Sequence, residues 1–132
     1  ENFSIDNIVY CSNFFEENTE VFDEIKSLGN TFNAHFHLLK VVTPKNFERT
    51  EYTVNLIKDF AKDHGVEDYT LRVVNDMSVE EGLFSYIKNI DVDMVAIGTH
   101  GRTGLSRLFQ HSVAEEVANH AEIPVLSLRI PE

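Results

Sequence analysis

The sequence is poor in basic residues. Of its 132 residues, 11 are Lys or Arg and 22 are Asp or Glu, so the formal net charge is −11 with histidine neutral. So negative a surface repels nucleic-acid phosphates and anionic lipid heads, and the basic residues are scattered singly instead of forming a patch that would overcome this repulsion. The charge balance therefore argues against nucleic acid and membranes as partners.

Cysteine and long apolar runs are also scarce. The single cysteine, Cys11, cannot form an internal disulfide, which fits a reducing compartment. No apolar run approaches the roughly 20 residues of a membrane span, and no signal peptide is recognisable. The chain is nevertheless 42% hydrophobic, enough for a folded core. We expect one cytoplasmic domain spanning residues 1–132.

Short apolar runs alternate with segments of helical periodicity along the whole chain. The runs that predict strands are residues 8–11, 36–42, 71–74, 94–97 and 125–130. Capping boxes beginning at Ser78 and Ser112 open the third and fourth predicted helices, and the third carries apolar residues as far as Ile90. This alternation predicts a three-layer α/β/α fold, in which right-handed crossovers place helices on both faces of a five-stranded parallel sheet.

A glycine-containing segment follows the fourth predicted strand directly. It begins with Gly98, Thr99, His100, Gly101 and Arg102. Parallel sheets bind ligands beyond the carboxyl ends of their strands, and glycines before a helix start let backbone N–H groups approach an anion. Arg102 and Arg107 add positive charge to this segment of an acidic chain. The alternative interpretation is that the glycines serve a tight turn and Ser112 only caps its helix.

Three stretches of the second half form a specific combination. They are residues 93–104 (DMVAIGTHGRTG), 112–117 (SVAEEV) and 123–126 (IPVL). With the strands at 8–11 and 38–42, they make the chain similar to the universal stress protein family over essentially its whole length. That resemblance implies a Rossmann-like fold of the adenine nucleotide alpha hydrolase-like type, with strand order 3-2-1-4-5.

Many members of that family bind ATP through the motif G-x2-G-x9-G-[S/T], and the resemblance transfers part of it. Gly98 and Gly101 match the first two glycines and Ser112 matches the last position, whereas His111 stands where the third glycine belongs. The resemblance implies that this loop and the following helix start hold phosphates and ribose. The implied nucleotide site consists of Asn13, Val41, Gly98, Thr99, His100, Gly101, Arg102, His111, Ser112 and Val113.

Two departures from the family pattern affect this site. Asn13 replaces the aspartate expected near adenine, so it lacks the negative charge but keeps one carbonyl acceptor for the adenine amino group. His111 adds a side chain where the family has none, although its backbone N–H remains and a protonated imidazole could pair with a phosphate. We expect ATP or AMP as ligand and no metal. The alternative is an interaction domain of the same fold that binds no nucleotide.

Other chemistry-bearing residues carry weaker signals. His35 and His37 share one face of the second predicted strand, a spacing that a metal can use, but no further ligand at fixed spacing completes a site. Cys11 is expected to point into packed protein. Because the chain lacks a Walker motif, an evident carboxylate pair for magnesium and a phosphate-binding lysine, we expect no enzyme, with weak ATP hydrolysis as a third alternative.

The last predicted strand, Val125–Ile130, is an apolar sheet edge in the implied order, and such edges tend to pair with another chain. In the family that the chain resembles, this strand commonly pairs across a dimer axis. We therefore expect a homodimer, or pairing with a sister domain. Tandem members carry two copies in one polypeptide, and a start at Glu1 without methionine fits a second copy with a degenerate nucleotide motif.

Overall fold

The computed structural model describes residues 4–15, 19–100 and 123–130, and strands and helices alternate within them. The strands are β1 (Asn7–Cys11), β2 (His35–Val42), β3 (Tyr69–Asn75), β4 (Met94–His100) and β5 (Val125–Ile130). The helices are α1 (Thr19–Phe32), α2 (Thr50–Asp63) and α3 (Val79–Ile87), and none of these three is long and apolar enough to cross a membrane. The helix predicted from Ser112 lies outside the described residues.

The strands form a parallel sheet in the order β3-β2-β1-β4, with β5 beside β4. The parallel α/β fold and the order of the first four strands are thus as predicted. The chain runs outward from β1 to β3 and then returns to the other side of β1. This reversal opens a crevice between the carboxyl ends of β1 and β4, the usual ligand position in such sheets.

Two apolar clusters cover the two faces of the sheet. On one face, Phe22 of α1 and Phe60 of α2 pack around Tyr10 of β1. On the other face, Leu83 of α3 packs with Val9. This division follows from the strand order, because right-handed crossovers place α3 opposite α1 and α2 when the chain changes direction.

Hydrogen bonds confirm the predicted start of α3 at Ser78 and define the end of α2. Ser78 Oγ accepts from the Glu81 backbone N–H at 3.1 Å, as its capping box requires, and donates to the Glu81 carboxylate at 3.2 Å. At the end of α2, Val66 N–H donates to the Ala61 carbonyl at 2.8 Å around Gly65, whose φ is +70°. Glycine adopts this left-handed conformation without the steric cost of a Cβ.

The ends of β4 and α3 correct the sequence prediction. We assigned Gly98, Thr99 and His100 to the loop after β4, but they are strand residues that pair with residues 128–130 of β5. Backbone hydrogen bonds between β4 and β5 continue through these residues, because the ladder does not require apolar side chains. α3 ends at Ile87 and not near Ile90, because the chain tightens into a turn closed by a 3.2 Å bond from Asn89 N–H to the Tyr86 carbonyl.

His64 is a buried histidine at the end of α2. Its ring centroid lies 4.2 Å from that of Phe60 and 5.1 Å from that of Phe22. Burial lowers its pKa, although the Asp23 carboxylate, whose Oδ1 is 3.7 Å from Nδ1, acts in the opposite direction. The imidazole is therefore harder to protonate in the folded protein than in the unfolded chain.

We predict that His64 makes the fold less stable in mild acid. Unfolded histidine has a pKa of about 6.5 and the folded value is lower, so its contribution is fully present above that pH and is lost as the pH falls through the folded pKa. The denaturant concentration at the unfolding midpoint should decrease when the pH is lowered from about 7.5 to about 5.5. The variant His64→Gln should show a smaller decrease. An identical pH slope in the parent protein and the variant would show that another group is responsible.

Candidate functional site

The carboxyl ends of β1, β2 and β4 lie side by side at one edge of the sheet. Cys11, the last residue of β1, is level with Leu39 of β2 and Ile97 of β4. The structure thus brings together at this edge Asn13, Val41 and the backbone of Gly98, Thr99 and His100. The other predicted site residues lie outside the described part of the chain. They are Gly101, Arg102, His111, Ser112 and Val113.

A tight turn directly follows β1. The Ser12 hydroxyl oxygen accepts from Phe14 N–H at 3.0 Å, and Asn13 Oδ1 accepts from Phe15 N–H at 2.8 Å. Short polar side chains that bond to the backbone two residues ahead stabilise such turns. The Asn13 carbonyl, proposed from the sequence as the acceptor for adenine, therefore already receives one hydrogen bond from its own chain.

Phe14 gives the turn its shape. Its φ is +64°, a left-handed conformation that bulky residues rarely adopt and that costs about 1 kcal/mol or more. Its ring is buried and lies 5.0 Å from Phe60 and 5.8 Å from Tyr10, centroid to centroid, in edge-on contacts. Burial of the aromatic ring offsets the backbone cost. The left-handed position in this turn could not be predicted from the sequence, because no glycine marks it.

A buried ion pair connects this turn to the loop after β2. The Lys40 side chain is 7% exposed, and its Nζ lies 2.7 Å from Glu48 Oε2. The same Nζ lies 4.3 Å from the centroid of the Phe15 ring, within cation–π range. Glu48 also accepts from the Thr53 hydroxyl of α2 at 2.6 Å. Sequence reasoning missed this pair, although a lysine within an apolar strand was a usable signal.

The histidines of β2 lie toward its opposite end. Asn7 Oδ1 can only accept, so His37 Nε2, 3.0 Å away, carries the proton, and Nδ1 accepts from the Tyr86 hydroxyl at 3.0 Å. His35 Nε2 lies 2.8 Å from the Thr70 hydroxyl. Burial, with the charges of nearby groups, lowers the pKa of His37, which favours this neutral form. These bonds give both rings a structural role, and within the part of the chain that the structure describes they belong to no metal site.

Cys11 is packed inside the second apolar cluster. It is 1% exposed, and burial raises its pKa to about 12. A thiol with so high a pKa is not ionised at neutral pH and is no nucleophile. The predicted packing role is confirmed. Among residues 4–15, 19–100 and 123–130, no group of three or more His, Cys, Asp or Glu side chains is placed to hold a metal ion.

Comparison with known proteins now identifies the architecture. The sequence profile described as "Universal stress protein family" matches residues 4–129. The chain belongs to the universal stress protein family. Universal stress protein MJ0531 of Methanocaldococcus jannaschii is 29% identical over 85 residues, which cover 64% of this chain and 49% of that protein. The match to this relative thus spans about half of the relative's length.

Solved universal stress protein structures share the fold at low sequence identity. One in complex with cAMP has a TM-score of 0.69 and 17% identity, with 97% of this chain and 99% of that chain covered. Another, from Archaeoglobus fulgidus in complex with dAMP, has a TM-score of 0.62 and 12% identity, with 96% and 99% covered. At these identities the likeness establishes the fold alone.

In this universal stress protein fold, Val41 is held against α3. Its side chain is 7% exposed, and a Cβ added to Gly82 would lie 2.5 Å from Val41 Cγ1. Only a glycine therefore lets α3 approach β2 this closely without displacing Val41. The close approach fixes the end of β2 that borders the crevice.

A separate pocket of about 330 Å³ opens at the amino-terminal edge of the sheet. Its polar lining includes Lys26, Asn30, Glu67 and Asp68. Lys26 Nζ donates to the His64 carbonyl at 2.6 Å, so this cation already has a partner. The pocket lies at the end of the strands away from the crevice, so it is separate from the candidate site at the carboxyl edge.

We predict that Lys40→Met lowers the free energy of unfolding by about 3 kcal/mol, because it leaves the poorly exposed Glu48 carboxylate without its cation. Lys88→Met is the matched control, since Lys88 Nζ lies 5.1 Å from the Phe84 ring centroid but the residue is exposed and should contribute little. Urea denaturation measures both changes. Adding Glu48→Gln to Lys40→Met should recover part of the loss, and equal effects of the two lysine variants would contradict the prediction.

Proposed function

We propose that this domain binds an adenine nucleotide, ATP or AMP, and acts as a binding module and not as an enzyme. The observation that carries the proposal is the meeting of Asn13, Val41 and the backbone of residues 98–100 at the point where the strand order reverses. Family members whose structures contain cAMP and dAMP give it further support.

The phosphates are assigned to the segment that follows β4. In this proposal, Thr99, His100, Gly101, Ser112 and Val113 surround them with backbone and hydroxyl donors. Arg102 and a protonated His111 supply positive charge, so no metal ion is required. Binding changes the surface that the domain presents to partners, because a ligand shifts the population toward the arrangement it binds more tightly.

A specific observation favours the alternative of an interaction domain without nucleotide. The Asn13 carbonyl accepts from Phe15 N–H, so one of its two lone pairs is unavailable to a base. In this alternative, the His111 ring occupies the space that a phosphate would need. The fold then serves only to present surfaces to protein partners.

Calorimetric titration with ATP and AMP tests the proposal. We predict heat of binding and a rise in melting temperature for the parent protein, because a ligand that binds only the folded state stabilises it. The matched variant combines Asn13→Asp with His111→Gly. Binding by both proteins supports the nucleotide module, whereas binding by the variant alone supports the interaction domain. Release of ADP or phosphate by the parent would contradict the proposal that the domain is no enzyme.

We also propose that the domain acts in the cytoplasm and pairs through the β5 edge, with a second copy or with a sister domain. An edge strand has unpaired N–H and C=O groups that a second strand can satisfy. Sedimentation velocity should then show a species of twice the 15.1 kDa chain mass that dissociates on dilution. A species of 15.1 kDa at every concentration would contradict the homodimer.

A further inference from the structure

The turn after β1 fixes which atom of Asn13 is available to a ligand. The side-chain atom 2.8 Å from Phe15 N must be the oxygen, because a backbone N–H needs an acceptor and the amide nitrogen is a donor. The amide nitrogen, Nδ2, is therefore directed away from Phe15. Among the described residues, none accepts a hydrogen bond from Nδ2.

Independent contacts hold this orientation in place. Before Asn13, the Ser12 hydroxyl oxygen accepts from Phe14 N–H at 3.0 Å, and the Phe14 ring is buried against Phe60. After Asn13, the Phe15 ring lies 4.3 Å from Nζ of Lys40, which is itself paired with Glu48. Rotating the Asn13 amide would leave the Phe15 N–H without its acceptor in the protein, so the turn favours the orientation in which Oδ1 faces Phe15.

The available Nδ2 group of Asn13 affects which nucleobase the site can bind. The family resemblance places residue 13 near the adenine amino group, which is a hydrogen-bond donor. Hypoxanthine and guanine carry an oxo group at the same ring position, which is an acceptor. The two hydrogens of Nδ2 suit the oxo group, and the second lone pair of Oδ1 can still accept from the amine. An aspartate would offer only acceptors.

We propose that Asn13 is a base-specificity residue that opens the nucleotide site to 6-oxopurine nucleotides, which bind at least as tightly as their adenine counterparts. This inference rests on the proposed function. It concerns only the base, because Asn13 belongs to the turn after β1, whereas the phosphates are assigned to the segment after β4.

The test compares AMP with IMP, whose ribose and phosphate are identical, in calorimetric titrations at about pH 7.5, where the phosphates are mostly dianionic. Asn13→Asp keeps an oxygen for Phe15 N–H and replaces only Nδ2 by a second oxygen. Asn33→Asp is the control, since Asn33 lies at the opposite edge of the sheet and also acquires one negative charge. The added charge affects both phosphates equally, so it cancels in the ratio of the two dissociation constants.

For the parent protein and for Asn33→Asp, we expect IMP to bind at least as tightly as AMP. In Asn13→Asp, the ratio of the IMP to the AMP dissociation constant should rise about tenfold, because the carboxylate repels the oxo group and accepts from the amine. A parent that binds AMP more tightly than IMP, or a ratio unchanged by Asn13→Asp, overturns the inference and leaves nucleotide binding intact. Failure of the parent to bind either nucleotide overturns the proposed function as well.

Discussion

The packing of aromatic rings around Tyr10 is the contact on which the candidate site depends. The Tyr10 ring lies 4.9 Å from that of Phe22, 5.8 Å from that of Phe14 and 5.9 Å from that of Phe60, centroid to centroid. These residues belong to β1, α1, the turn after β1 and α2, so one cluster joins the central strand to both helices on its face. Without that cluster, nothing would offset the left-handed backbone of Phe14, and the turn that orients Asn13 would lose its fixed shape. The apolar core and the polar site are therefore parts of one arrangement.

Most of the fold could be predicted from the sequence because its signals are local. Apolar runs, helical spacing and the Ser78 capping box each involve neighbours along the chain, and alternation with right-handed crossovers restricts the topology. The end of β4 could not be predicted in this way, because it depends on a ladder with a strand about 30 residues later in the sequence, and pattern reasoning detects polarity but not pairing. The burial of Lys40 was missed for a similar reason, since its partner Glu48 lies in the following loop and is held by the Thr53 hydroxyl of α2, contacts that exist only in the folded chain.

The candidate site, like the fold, could be predicted from the sequence only in part. Sequence comparison selected Asn13 and Val41, and the structure brings both to the predicted edge. It could not indicate which atom of Asn13 remains available, because that depends on one 2.8 Å hydrogen bond to a backbone two residues ahead. Nor could it indicate that Gly82 lets α3 lie against Val41, since the required space appears only in three dimensions. The sequence therefore indicates which residues form the site, whereas the hydrogen bonds that each residue can still make depend on the folded structure.

The pairing of residues 98–100 with residues 128–130 has a mechanical consequence. The first residues of the glycine-containing segment are not hinged to the sheet but belong to it, through the same backbone ladder that holds β5. Hydrogen-bonded strands move together more readily than they slide, because sliding by one residue would exchange the faces of every side chain in the strand. A displacement of the backbone at Gly98 is therefore transmitted directly to the outer strand. Within residues 94–100 and 125–130, the crevice and the margin of the sheet are therefore joined by one continuous backbone ladder.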